Sequence, residues 1–273
     1  MKKILSLLLA VVMLVGCTLA LASCGNPYKD LTIVDLGLER EYFGIAFRSG
    51  SDMTRKVEDI TLQLIKDGTL EELSEKYEVG AMSEAEYVPA ADPCTGSGDW
   101  AAIQAKGKLV IGITDYKPMD YKEAGSDEWV GFDADYARAV CEKLGVTAEF
   151  VEIEWDNKLI SLAAGEIDCI WNGMTITEAI EAAADCTAAY MYNTQVAVVK
   201  KANADKYTNL ASLAGVSLAA EAGSAGEKVA LENPTLKDGV KGVTAQTDAL
   251  LEVLSGASEA AIVDLTLAKA LIK

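Results

Sequence analysis

Histidine is absent from this sequence and positive charge is scarce, since 24 lysines and arginines face 42 aspartates and glutamates among 273 residues. Without histidine the chain lacks the commonest general base and the commonest metal ligand, which argues against hydrolases and metalloenzymes. The formal net charge of -18 repels phosphate backbones, so we predict that nucleic acid is not a partner. We predict no catalytic residue, no metal and no cofactor, and we expect the acidic residues to form a solvated surface.

A membrane-spanning run near the start is also missing, since the apolar stretch Ile4–Val15, interrupted only by Ser6, is too short to cross a bilayer. This stretch follows a basic start and is typical of a signal peptide. The residues Leu21-Ala22-Ser23-Cys24-Gly25 resemble a bacterial lipobox, in which the cysteine is lipidated and becomes the mature N-terminus. We therefore predict a lipoprotein signal peptide and lipobox over residues 1–24, with lipid on Cys24.

A second lipobox-like string, Leu14-Val15-Gly16-Cys17, also fits. Cys24 is preferred because cleavage before Cys17 would leave the apolar Leu19–Leu21 on the mature end. The protein is accordingly predicted to be extracytoplasmic and lipid-anchored to the cell membrane. Four cysteines follow with a spacing that matches no zinc or redox motif, and sequence assigns them no disulfide: Cys94, Cys141, Cys169 and Cys186.

Strand patterns and helix patterns alternate along the rest of the chain. The predicted strands are Leu31–Leu36, Tyr42–Phe47, Lys108–Thr114, Thr147–Ile153, Ile167–Trp171, Gln195–Lys200, Val216–Ala220 and Ala260–Val263. The predicted helices are Asp52–Tyr77 with a break near Gly68, Phe132–Leu144, Asn157–Ala164, Ala225–Glu232 and Asp248–Ser255. This alternation predicts α/β layers with mainly parallel sheets, in which ligands bind at the carboxyl ends of strands and at helix N-termini.

Residues Gly80–Gly98 interrupt this pattern with small, polar residues and with Pro89 and Pro93. Such composition is typical of a linker.

From Lys108 onward, short motifs follow one another over about 165 residues in a fixed order. They are Gly107–Gly112 (GKLVIG), Gly131–Asp135 (GFDAD), Trp155–Asn157 (WDN), Gly165–Asp168 (GEID), Gly173–Thr177 (GMTIT), Ala222–Ser224 (AGS) and Val263–Leu265 (VDL). Their order and spacing resemble the polar amino-acid family of ABC-transporter solute-binding proteins (family 3 type). The resemblance implies a type II periplasmic-binding-protein fold, with two α/β lobes joined by two crossing strands.

In that family, three further elements stand at the C-terminal end, whereas here similar strings stand at the front. These strings are Leu31–Val34 (LTIV), Tyr42–Phe47 (YFGIAF) and Lys66–Thr69 (KDGT). The order therefore resembles a circular permutation, which is tolerated where chain ends lie close together at the surface.

The resemblance then implies a division of the chain into two lobes. Residues 107–193 and 46–79 form lobe 1, residues 196–273 and 27–42 form lobe 2, and residues 80–98 are the linker. The crossings between the lobes are expected near residues 193–196 and 42–46, where they would act as hinges.

The same resemblance implies a ligand site between the lobes. Asp264 resembles a carboxylate that binds a ligand's ammonium, although an N-cap role is the alternative. Tyr116 and Trp155 resemble the two aromatic walls of the site, although core packing is the alternative. In lobe 2, Ser224 and Ala225 precede a helix whose free N–H groups favour a carboxylate or, alternatively, form only a helix cap.

Further predicted ligand-binding residues lie mainly in lobe 1. Gly173, Met174 and Thr175 occupy a strand-to-helix turn whose polar groups can face a ligand, a plain turn being the alternative, and Asp115 adjoins Tyr116. One departure from the family concerns an arginine that commonly grips the ligand carboxylate, because that position is Ile180 here. Asn193 and Gln195, at the crossing, are candidates to donate amide hydrogen bonds instead.

The predicted function is that of an extracytoplasmic solute-binding protein that delivers a polar amino acid, or a related small molecule, to an ABC permease. A sensory receptor domain on the same fold is one alternative. A dehydratase-like enzyme is another, and the absence of histidine and of a clustered acid–base pair argues against it.

Overall fold

The computed structural model describes residues 26–89 and 98–273. The predicted signal peptide, Cys17, Cys24 and Cys94 lie outside these ranges. The strands are β1 Leu31–Asp35, β2 Glu41–Arg48, β3 Lys108–Ile113, β4 Tyr121–Lys122, β5 Trp129–Val130, β6 Thr147–Glu152, β7 Cys169–Thr175, β8 Ala184–Cys186, β9 Met191–Asn193, β10 Gln195–Lys200, β11 Leu218–Glu221, β12 Val240–Val243 and β13 Ala260–Asp264. The α-helices are α1 Met53–Lys66, α2 Thr69–Tyr77, α3 Asp99–Lys106, α4 Phe132–Leu144, α5 Lys158–Ala164, α6 Glu178–Glu181, α7 Ala225–Glu232, α8 Gln246–Ser255 and α9 Leu265–Leu271.

A six-stranded sheet is built around β7, and its main strand order is β6-β3-β7-β2-β8. Strand β3 lies parallel to β6 and β7, whereas β2 runs antiparallel to β7, β8 and β9. Nearly every residue of β7 is buried, which matches its apolar run. Together with the helices that contact it, including α1 and α5, this sheet is called the six-stranded lobe.

A five-stranded sheet has the order β1-β10-β13-β11-β12. Strands β13, β11 and β12 are parallel, while β10 lies antiparallel between β1 and β13. Helices α7 and α8 contact this sheet, and α9 packs on β10 and β13. This unit is called the five-stranded lobe.

Within the part of the chain that the structure describes, two connections join the lobes. One passes from β9 to β10 through Thr194, close to the predicted crossing at 193–196. The other passes from β1 to β2 through residues 36–40, which differs from the prediction of 42–46. Tyr42 and Phe43 lie within β2 and pair with Tyr192 and Met191 of β9. The crossing comes earlier because β2 extends to Glu41 and joins the six-stranded sheet over its whole length.

Aromatic side chains fill the core of the six-stranded lobe. The ring of Tyr136, on α4, stands edge-on to Trp171 with centroids 4.7 Å apart and contacts Tyr190 at 5.5 Å. All three side chains are fully buried. Burial of such large side chains contributes strongly to folding and fixes α4 against β7.

The break predicted in the first helical segment is confirmed, since α1 ends at Lys66 and α2 begins at Thr69 around Gly68, whose φ is +85°. Several short elements were not predicted, namely α3, α6, α9, β4, β5, β8, β9 and β12. Four of them, β4, β5, β8 and β9, have only two or three residues, too few for a periodic signal. Across residues 26–89 and 98–273, none of the helices has the length and apolarity that crossing a bilayer requires.

Candidate functional site

A cavity of about 480 Å³ lies between the two lobes and is called the inter-lobe cavity. The six-stranded lobe contributes, among others, Tyr116, Trp155, Lys158, Thr175 and Ile180. The five-stranded lobe contributes, among others, Glu221, Ser224, Ala225, Gln246 and Asp264. The volume is in the range of small-molecule sites, and a ligand there would touch both lobes.

Asp264, the last residue of β13, is buried at one end of this cavity. Its Oδ1 accepts hydrogen bonds from Asn193 Nδ2 at 2.5 Å and from Gln195 Nε2 at 2.6 Å, and its Oδ2 accepts one from Gln246 Nε2. The side chain makes no capping bond to α9, so the N-cap alternative is excluded. Three amides hold the carboxylate in one orientation, although burial raises its pKa above the usual value.

Glu41 brings a second carboxylate to the same place. Its Oε1 accepts hydrogen bonds from Asn193 Nδ2 at 2.6 Å and from Gln195 Nε2 at 2.5 Å, the amides that also bind Asp264. Burial, followed by the negative charge of Asp264, raises the pKa of Glu41 to about 8. These four residues are called the hinge cluster, because they stand where the two inter-lobe connections meet the sheets.

Lys158, at the start of α5, places a buried ammonium in the cavity, with a side chain that is 7% exposed. Its Nζ donates to the carbonyl of Trp155 at 3.1 Å and, across the cleft, to the carbonyl of Gly223 at 2.9 Å. The same atom stands 4.7 Å from the centroid of the Trp155 ring. Burial lowers the pKa of Lys158, and the negative charge of Glu221 opposes that effect.

Glu221 ends β11 on the opposite wall and is 4% exposed. Burial, and then the charge of Asp264, raises its pKa to about 8. The cavity therefore carries two acidic groups and one basic group of low exposure.

Gly173 allows the floor of the cavity to form. Its φ is +55°, and a Cβ there would lie 2.6 Å from the Tyr116 ring, so only glycine suits the position. The Gly173 N–H donates to Asp133 Oδ2 at 2.6 Å, and the Tyr190 hydroxyl donates to the same oxygen at 2.8 Å. Burial raises the pKa of Asp133 to about 7. Asp133 thus stabilises the turn at Gly173 by accepting the hydrogen bond of its N–H group.

The N-terminus of α7 forms the facing wall. Ser224 Oγ accepts a hydrogen bond from the Glu227 N–H at 3.1 Å, as an N-cap does. Gly223 has a φ of +71°, and a Cβ there would lie 2.8 Å from the Cα of Asp156 in the other lobe. The lobes therefore touch at Gly223, and the cleft is closed at this point.

Residues 109–273 match the bacterial extracellular solute-binding proteins, family 3. The protein is a member of that family.

Among the relatives of this solute-binding protein is the arginine-binding extracellular protein ArtP of Bacillus subtilis, at 28% identity over 62% of this chain and 66% of the relative. An L-arginine-binding protein of Pseudomonas aeruginosa is 31% identical over 56% of this chain and 60% of the relative. The chain thus spans somewhat less than two thirds of the length of these curated relatives.

Solved structures of amino-acid-binding proteins also match this chain. The ancestral amino acid-binding protein AncCDT-1, described as a precursor of cyclohexadienyl dehydratase, matches with a TM-score of 0.59 and 33% identity over 62% of this chain and 75% of that one. The arginine-bound form of truncated ArgBP from T. maritima matches with a TM-score of 0.59 and 30% identity over 62% and 79%. The predicted two-lobe α/β fold class is confirmed.

Most of the residues predicted to bind ligand come together at the inter-lobe cavity. They are Tyr116, Trp155, Gly173, Met174, Thr175, Ser224, Ala225 and Asp264. Asp115 is exposed and is not among the lining residues. Asn193 and Gln195 differ from the prediction, because their amide groups donate to Glu41 and Asp264 and do not line the cavity.

Three residues that line the cavity, Lys158, Glu221 and Gln246, were not predicted from the sequence, nor was Glu41 of the adjoining hinge cluster. Lys158 directly follows the WDN motif and Glu221 directly precedes AGS, so adjacency to a motif was the available signal. Ile180, at the position of the family's arginine, lines the cavity and is buried. In the described residues, Lys158 is the cavity's buried cation.

Proposed function

We propose that this solute-binding protein is the extracytoplasmic receptor of an ABC importer and binds an amino acid between its lobes. The observation that carries the proposal is the inter-lobe cavity, which joins an oriented, buried carboxylate, Asp264, to a buried ammonium, Lys158. A zwitterion enters a dry cleft only if both of its charges are matched there. The names of the amino-acid-binding relatives support the same ligand class.

A thermal-shift screen tests this proposal with the full chain and the twenty standard amino acids. A ligand at about 100 times its dissociation constant adds about 2.7 kcal/mol to the free energy of unfolding. We expect at least one L-amino acid to raise the melting temperature and its decarboxylated amine to do so less. If none of the twenty shifts the melting temperature, the protein does not bind a standard amino acid.

The division into lobes is proposed with one revision, namely that residues 41 and 42 belong to lobe 1 with β2. The proposed circular permutation is supported by residues 26–89, which supply β1 to one sheet and β2 to the other although the family match begins at residue 109. Residues 80–98 then bridge the family's usual ends. Tyr87 is buried in the core and Ala81 pairs with Met191, so limited proteolysis should leave both lobes folded and ligand binding intact only where it cuts between residues 90 and 97.

We further propose that lipid on Cys24 tethers the receptor to the cell membrane beside its permease. Mass spectrometry of protein isolated from the native cell should show an acylated N-terminal cysteine at this position, and Cys24→Ala should abolish the modification. Acylation at Cys17 would contradict the assignment.

A further inference from the structure

Lys158 carries a charge that no described residue meets in a direct ion pair, although the negative charges of Glu221, Asp156 and Glu227 act on it from further away. None of the ion pairs within residues 26–89 and 98–273 includes Lys158, and its two hydrogen bonds go to backbone carbonyls. An ammonium with three N–H groups can make one more bond. A buried charge without a counter-charge is costly, so a lysine in a ligand cavity favours an anionic group on the ligand.

Glu221, on the opposite wall of the cavity, is a buried acidic side chain. Its side chain forms no hydrogen bond or ion pair of standard length to any described residue, although it is 4% exposed. Burial, and then the negative charge of Asp264, raises the pKa of this carboxyl, while the positive charge of Lys158 lowers it only in part. A cationic ligand group would stabilise the ionised carboxylate in the same way that an ion pair does.

Asp264 adds a second buried carboxyl group to the cavity, already oriented by the amides of the hinge cluster and of Gln246. Among the described residues, the buried charged side chains of the cavity are Lys158, Glu221 and Asp264. They are complementary to one anionic and two cationic groups on the ligand. Tyr116 and Trp155 supply aromatic faces for the apolar part between those groups.

We propose that the cavity selects an α-amino acid with a cationic side chain, whose carboxylate binds Lys158 and whose side-chain cation binds Glu221. This inference rests on the proposed function, in which Asp264 holds the α-ammonium. Lys158 takes over the role of the family's arginine from a different element, since α5 approaches the carboxylate from the wall that also carries Trp155.

The test compares three probes by titration calorimetry on the full chain. L-Citrulline has nearly the shape of L-arginine but a neutral side chain, and agmatine is arginine without its carboxylate. We expect the wild type to bind arginine about ten- to a hundredfold more tightly than either probe, because a charge-assisted bond contributes about 1.5–3 kcal/mol. Glu221→Gln should remove the preference for arginine over citrulline, and Lys158→Met the preference over agmatine.

Matched controls are Lys108→Met, which breaks an exposed ion pair with Glu149 at 2.6 Å, and Glu252→Gln, which breaks a partly exposed ion pair with Lys241 at 2.8 Å. Both should keep the two preferences. Glu221→Asp and Lys158→Arg retain charge and should keep them as well, which guards against a variant that does not fold.

Two results would overturn the inference. If Glu221→Gln and Lys158→Met lower the affinities for all three probes by one common factor, the two side chains only neutralise each other across the cleft. If the wild type binds a neutral or acidic amino acid more tightly than arginine, the charge assignment is wrong while the proposed function stands. Binding of none of the twenty amino acids would instead remove the proposed function itself.

Discussion

Asp264 acquires its role from its surroundings. Three amide groups donate to its carboxylate, and Glu41 shares two of those donors, so the side chain keeps one orientation inside a buried site. Such preorganisation lowers the cost of ordering when a ligand binds. The amides of Asn193 and Gln195 thus donate to Asp264 and Glu41, whereas the sequence predicted that they donate to the ligand in place of the family's arginine.

We predict that Asp264→Ala weakens the binding of L-arginine by about 2–5 kcal/mol, because the ligand's ammonium would lose its buried partner. Titration calorimetry checks this value. Asp238→Ala, an exposed change in the same lobe, is the control and should leave affinity unchanged. Near-wild-type affinity in Asp264→Ala would show that the ammonium lies elsewhere.

Ile180 offers a second prediction at the residue scale. In the Lys158→Met background, Ile180→Arg should recover most of the lost affinity for L-arginine, since the guanidinium would enter the cavity that Ile180 already lines. Ile180→Met in the same background is the neutral control and should recover nothing. Equal recovery by both variants would mean that Ile180 acts through packing, and calorimetry distinguishes the two cases.

At the scale of elements, the turn that precedes α7 contacts the turn that precedes α5 across the cleft. Gly223 approaches Asp156 so closely that a Cβ would come within 2.8 Å of its Cα. Lys158, in the first turn of α5, bonds to the carbonyl of Gly223. We therefore expect closure of the lobes to depend on Gly223 and Lys158.

Gly223→Ala should hinder closure and weaken the binding of L-arginine by about tenfold or more, whereas Gly215→Ala should not. The two glycines have similar φ angles, +71° and +73°, but nothing lies within 4 Å of a Cβ at Gly215. The strain of a positive φ is thus common to both variants. Small-angle scattering should show that saturating arginine compacts Gly215→Ala but not Gly223→Ala; equal compaction would place the closing contact elsewhere.

At the scale of the whole molecule, buried acids make stability depend on pH. The pKa values of Glu41 and Glu221 are raised to about 8, and that of Asp133 to about 7, mainly by burial. A carboxyl with a raised pKa in the folded state binds its proton more tightly there than in the unfolded chain. Its stabilising contribution is complete below the unfolded pKa and is lost as pH rises through the folded pKa.

The free energy of unfolding of the ligand-free protein should therefore fall between about pH 4.5 and pH 8, by at most about 1.4 kcal/mol per pH unit for each group. Urea unfolding at several pH values measures the slope. Glu221→Gln should flatten it, while Glu252→Gln, on the surface of the same lobe, should not. Stability that rises across this window would contradict the prediction.

Much of the fold follows from local pattern. Local sequence predicts β7 from its apolar run, α4 from its amphipathic pattern and the break between α1 and α2 from a glycine. These signals need only a few residues, because periodicity and backbone freedom are local properties. The family resemblance of the motifs also led to eight of the residues that line the cavity. The strands β4, β5, β8 and β9 were not predicted because two or three residues are too few for a periodic signal.

The sequence by itself determined the α/β alternation, the family resemblance and the position of Asp264 at a strand end. Only the tertiary structure decided which charges meet. Glu41 and Asn193 are separated by 152 positions yet share a hydrogen bond, and Lys158 reaches Gly223 across 65 positions. Local patterns depend on neighbours in the chain, whereas burial, pKa and charge pairing depend on neighbours in space, and the latter exist only after both lobes have folded and met.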